Sequence, residues 1–88
     1  VYMFIEAMAD AGVAEGLPRA SAYRMAAAAG AGSACMVLET GQHPAALKDA
    51  VCSPAGTTIE GLRVLEEKGM RSAIIESLLA TVEKAKRL

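Results

Sequence analysis

No tryptophan occurs in this chain of 88 residues, and only Tyr2, Phe4 and Tyr23 are aromatic. Large rings therefore cannot build its core, and the 53% hydrophobic share rests on Ala, Leu, Ile, Val and Met. Cysteine is scarce as well. Cys35 and Cys52 show neither metal nor redox spacing and make no disulfide framework, so a reducing cytoplasm is the expected setting. A bilayer crossing needs ~20 apolar residues. The longest stretch without a formal charge, Met25 to Leu38, has only fourteen. Charge of one sign is missing too: nine basic against ten acidic residues leave a net charge of -1, which excludes the basic footprint of a nucleic-acid or anionic-membrane binder. His43 is the only histidine, so any His-based metal site or His–Ser or His–Cys pair must pass through it. No charged n-region of a signal peptide precedes the apolar start at Val1. The chain is expected to be cut from a longer protein.

What is present favours helix. Nineteen alanines stand beside Leu, Met, Glu, Lys and Arg, and no run alternates long enough for a strand. The expected fold is all-α, a bundle of about five helices in one domain over residues 1–88. A domain this short buries only roughly 60% of its unfolded surface. With a mean hydropathy of +0.32, it is expected to lean on a partner subunit or domain.

The first helix, Val1–Glu15, is apolar on nearly every face (Phe4, Ile5, Met8, Ala11), which suits a buried position. Gly16-Leu17-Pro18 ends it and begins a second helix from Pro18 to about Thr40. Small residues four apart (Ala22, Ala26, Gly30, Ala34) would let another backbone approach that helix, offsetting the cost of about 1 kcal/mol for each of Gly30 and Gly32. Gly41 closes it, and Pro44 opens a short third helix with Ala46, Leu47, Ala50 and Val51 as its apolar side. After Ser53-Pro54-Ala55-Gly56, Thr57 or Thr58 has the type of an N-cap for a fourth helix, which Gly69 stops after Lys68. The fifth, Met70–Lys86, carries the stripe Ile74, Ile75, Leu78, Leu79, Val82, with Lys84, Lys86 and Arg87 complementing its dipole.

Few residues offer chemistry. His43, between Gly41 and Pro44, reads as a turn residue bonded to nearby backbone, and both cysteines as inert thiols. Gly30-Ala31-Gly32 copies the first two glycines of a dinucleotide fingerprint, but helical alanines precede it where a strand is required. The informative stretch is Cys52–Thr58. It leads into a helix, whose free N–H groups and positive dipole end can hold an anion such as a carboxylate, and Ser53, Thr57 and Thr58 add hydroxyls.

Several words in order, Ala9-Asp10-Ala11-Gly12-Val13, Gly16-Leu17-Pro18-Arg19, Met36-Val37-Leu38-Glu39-Thr40-Gly41 with His43-Pro44, Leu47-Lys48-Asp49, Ser53-Pro54-Ala55-Gly56-Thr57-Thr58, Gly61-Leu62, Leu65-Glu66 and Gly69 with Arg71 and Ala73, span the whole chain. Together they resemble the C-terminal domain of pyrroline-5-carboxylate reductase. The resemblance implies a helical dimerisation and substrate-binding domain whose N-terminal Rossmann partner, the holder of NADPH or NADH, lies outside these residues. It also implies interlocked homodimers, which in that family often assemble further into larger rings, and reduction of 1-pyrroline-5-carboxylate to L-proline. Ser53, Gly56 and Thr57 fall where that family grips the substrate carboxylate, and Thr58 where a hydroxyl meets the ring nitrogen as the catalytic contact. Whether Thr58 delivers a proton or orients an iminium stays open. No metal, nucleic acid or membrane partner is implied.

Two positions depart from the family's usual pattern. Ala55 stands where the first of two glycines is common, at a cost of order 1 kcal/mol if the loop needs a positive φ there. Cys52 replaces a frequent Thr or Ser. The competing reading is a non-catalytic helical dimerisation module; a helix-turn-helix binder is disfavoured by the balanced charge.

Overall fold

A computed structural model describes all residues from Val1 to Leu88. It has five helices and no strand: α1 (Tyr2–Ala14), α2 (Arg19–Thr40), α3 (Pro44–Ala50), α4 (Thr57–Glu67) and α5 (Met70–Lys86). The all-α expectation holds. Two compact units result, Val1–Leu47 and Lys48–Leu88.

The first unit is an αα-hairpin. Its turn is a Schellman motif, in which the Leu17 N–H donates to the Gly12 carbonyl at 2.9 Å and the Gly16 N–H to that of Val13 at 3.0 Å. Gly16 takes φ +106°, a backbone conformation closed to most side chains. Leu17 then folds back over Gly12, where an added Cβ would stand 3.1 Å from Leu17 Cδ1 and 3.4 Å from Ala22 Cβ. The close approach of α1 to α2 is thus made at Gly12, with Ala9, Ala22 and Ala26 buried along the seam. Gly30 and Gly32, expected to receive another backbone, have nothing within 4 Å of their Cβ positions. Small residues let helices come near; only half of this stripe is used within the hairpin.

Several helix boundaries differ from the sequence expectation by one residue. Pro18 (φ -59°, ψ 142°) caps α2 from outside, because its extended backbone precedes the helical turn. Val51 lies beyond α3 and is exposed. Arg19 spans the hairpin to Asp10 at 2.6 Å and stacks over Tyr23, 5.7 Å from the ring centroid. Asp10 holds the Arg19 guanidinium above its ordinary pKa. Both ions are exposed, so the pair fixes geometry more than it adds stability.

In the second unit, Gly69 at φ +77° turns α4 directly into α5, and Arg71 Nε reaches back to Glu66 at 2.7 Å. Arg63 donates to Glu60 at 2.7 Å and to Glu67 at 3.0 Å along the outer face of α4. None of the residues in this unit is buried.

Burial is the missing quantity. Only three alanines form the core, while α1 leaves Phe4 and Met8 substantially exposed and α5 exposes its whole apolar stripe. The chain presents 7189 Å² of surface, where a self-contained protein of this mass presents about 4,900 Å². α1 therefore does not reach, within its own chain, the buried setting its composition calls for.

Candidate functional site

The segment from Cys52 to Thr58 is built by one turn and one helix start. The Cys52 N–H donates to the Asp49 carbonyl at 3.1 Å, ending α3. The Gly56 N–H then donates to the Ser53 carbonyl at 3.0 Å, closing a four-residue turn with Pro54 and Ala55 at its centre. Proline followed by a positive φ is the pattern of a type II turn. Ala55 has φ 57° and is the only non-glycine residue of the chain at positive φ. The conditional cost attached to this alanine is therefore real. Replacing Ala55 by Gly should stabilise the folded protein by roughly 0.5–1 kcal/mol, the left-handed penalty less the extra freedom of an unfolded glycine. A denaturant midpoint that moves up checks this, and one that moves down refutes it.

Gly56 is needed for a different reason. Its φ of -80° and ψ of 172° are open to any residue, but a Cβ there would run into Ser53 Oγ and sit 3.1 Å from the Ser53 carbonyl oxygen. Glycine lets the serine fold back against the start of α4. Gly56, rather than Thr57 or Thr58, is the N-cap, and no side chain caps the helix. The threonines move inside because the turn delivers the chain to helical geometry at Thr57. As a result the Thr57 and Thr58 N–H groups, which precede any intrahelical acceptor, meet neither a cap nor a loop carbonyl. They point with the positive end of the α4 dipole, and the Ser53, Thr57 and Thr58 side chains are exposed beside them. Such an arrangement suits a small anion with one more hydrogen-bonding atom nearby.

Ser53, Gly56, Thr57 and Thr58 thus lie within one turn of each other. The remaining candidates stay ordinary. His43 Nδ1 accepts from the Ala45 N–H at 3.0 Å, a local bond at the start of α3. Cys35 and Cys52 are free thiols. Gly30-Ala31-Gly32 lies within continuous α2, so it offers no dinucleotide turn, and no cluster of three His, Cys, Asp or Glu could hold a metal. No helix is long and apolar enough to cross a membrane.

Sequence reading missed the steric role of Gly56; its one signal was a glycine three residues after a serine. It also missed a groove of about 650 Å³ in the first unit, walled by Phe4, Ile5 and Met8 on α1 and by Ala27, Gly30 and Ala34 on α2. Its signal was the half of the small-residue stripe that α1 does not cover.

Fold and site together define a helical association domain, with uncovered apolar faces and an anion-suited helix start. The family profile described as pyrroline-5-carboxylate reductase dimerisation matches residues 1–88, and the chain belongs to that family. It is 66% identical over all 88 residues to pyrroline-5-carboxylate reductase of Escherichia coli (strain K12), of which it covers 33%. It is 50% identical over its whole length to the Methanosarcina acetivorans enzyme, again covering 33% of that protein. The chain therefore spans about a third of the length of the curated relatives it matches. Among solved structures, the 1-pyrroline-5-carboxylate reductase of Streptococcus pyogenes superposes with a TM-score of 0.95 at 41% identity, over 99% of this chain and 34% of that one. The Plasmodium falciparum pyrroline carboxylate reductase, solved with NADP bound, gives 0.92 at 36% identity, over 97% and 32%.

Proposed function

We propose that residues 1–88 are the C-terminal domain of an enzyme that reduces 1-pyrroline-5-carboxylate to L-proline, supplying both its homodimer interface and its carboxylate-binding loop. The observation that carries this reading is the uncapped start of α4, whose Thr57 and Thr58 N–H groups find no backbone acceptor and whose neighbouring Ser53, Thr57 and Thr58 side chains are exposed. A packing module alone has no use for such a loop. The five-membered substrate is a carboxylate next to an imine, and the loop offers donors for both.

Ser53 and Thr57 bind the carboxylate in this reading, and Gly56 lines the site while keeping Ser53 against it. The Thr58 hydroxyl meets the ring nitrogen. Reduction adds a hydride to the imine carbon, the C=N π electrons move onto nitrogen, and nitrogen ends with a proton. A donor fixed at nitrogen is worth most where that electron density develops. The hydride comes from NADPH or NADH held by the rest of the enzyme, and Gly30-Ala31-Gly32, inside continuous α2, supplies no dinucleotide turn. The homodimers assemble further into rings, and the two free thiols fit a reducing cytoplasm.

The full-length protein should oxidise NAD(P)H with 1-pyrroline-5-carboxylate as acceptor, and residues 1–88 alone should not, because hydride transfer needs the two carbons in near-contact. Turnover by the 88 residues alone would sink the domain assignment. An inert full-length protein would leave the non-catalytic dimerisation module.

A further inference from the structure

We infer that the Ser53–Gly56 turn is a two-state element whose left-handed form receives the substrate, and that Ala55 is the positioning residue that sets how much of the loop is in that form; the inference rests on the function proposed above. Ala55 stands at φ 57°, the only positive φ in the chain outside glycine. Strain of this kind persists where neighbouring groups over-determine the backbone. Little does so here. Ser53, Pro54 and Ala55 are exposed, and the Ala55 N–H donates to no backbone carbonyl.

The one bond that closes the turn, from the Gly56 N–H to the Ser53 carbonyl, is common to turns of type I and type II. Rotating the Pro54–Ala55 peptide by about half a turn converts one type into the other and leaves that bond in place. Proline suits the first central position of both. Ala55 would pass from the left-handed region to the ordinary φ of a type I turn, which an L-residue prefers. The flip also makes the Ala55 N–H and the Pro54 carbonyl oxygen trade sides, next to the α4 start where the Thr57 and Thr58 N–H groups lack backbone acceptors. A carboxylate held there distinguishes the two states, because it attracts a donor and repels a negative oxygen. The left-handed form is the one that sets Ser53 against the first turn of α4, with its Oγ in the space a Gly56 Cβ would take. Substrate therefore selects this form, and its apparent affinity is reduced by the fraction of loops already in it.

The test varies residue 55 in the full-length protein. Glycine reaches the left-handed region without penalty, whereas valine, branched at Cβ, is a strong outlier there. Ala55→Gly should lower the KM for 1-pyrroline-5-carboxylate about 2- to 5-fold, and Ala55→Val should raise it at least about 5-fold. Both should keep kcat within about 2-fold, because a substrate once bound meets the same groups. Calorimetric Kd values for L-proline, measured without nucleotide, should follow the same order of Gly, Ala, Val. A general loss of folding would not tighten binding, so the glycine variant decides the matter even if the valine variant misfolds. One KM shared by the wild type and Ala55→Gly, or a higher KM in Ala55→Gly, overturns the two-state turn and leaves the proposed function standing. A wild-type protein that neither reduces 1-pyrroline-5-carboxylate nor binds L-proline removes that function, and this inference with it.

Discussion

Under the proposed function, Thr58→Val in the full-length protein should lower kcat about 10- to 100-fold while changing the substrate KM much less. A hydrogen bond to a charged or developing-charge atom contributes roughly 1.5–3 kcal/mol, and a contact that strengthens only as nitrogen gains electron density is felt in the transition state. Valine keeps the branched shape and the helical backbone at the second position of α4, so the hydroxyl alone is removed. Ser53→Ala provides the contrast. In the proposed reading its hydroxyl binds a carboxylate that is the same before and after hydride transfer, so its loss should raise KM and leave kcat nearly unchanged. Steady-state kinetics on the two variants separates the roles, and a Thr58→Val enzyme with unaltered kcat and kcat/KM would reduce the loop to a helix start.

Dilution should unfold the 88-residue chain. With Ala9, Ala22 and Ala26 as its whole core, a single copy has almost no buried apolar surface to set against the entropy of ordering five helices. Its stability then belongs to the dimer and follows protein concentration by mass action. A hundredfold dilution should remove about 2.7 kcal/mol. For a folding unit of two chains, that lowers Tm by about 5–10 °C. Thermal unfolding followed by circular dichroism at several concentrations measures the shift. A Tm independent of concentration, with a monomer in sedimentation, would contradict a homodimer held by these faces.

Helix content was legible because it depends on local terms. Alanine-rich runs, Gly41 and Gly69 at positive φ, and the His43 turn all act within a few residues of themselves, so the structure returns them nearly unchanged. The boundaries that moved, at Pro18 and at Thr57, did so where two short-range rules compete. Proline suits either side of a helix start, and the Ser53–Gly56 turn takes the capping position from the threonines. The proposed site is local in the same way: Ser53, Gly56, Thr57 and Thr58 fall within a span of six residues, one turn and one helix start, with no distant element needed to gather them.

Burial was not legible, because it depends on which faces meet. Amino-acid order by itself determined that this chain is helical, where its helices stop, that α1 and α5 carry wide apolar faces, and that a Ser/Gly/Thr loop precedes α4. Only the tertiary structure decided that Gly12, and not Gly30 or Gly32, is where α1 closes on α2, and that Gly56 is glycine for space and not for φ. It also decided that the apolar faces remain on the surface of a single copy. The physical reason is range: propensity, capping and turn strain act over one to five residues, whereas close approach and burial belong to pairs of helices whose meeting no local rule specifies.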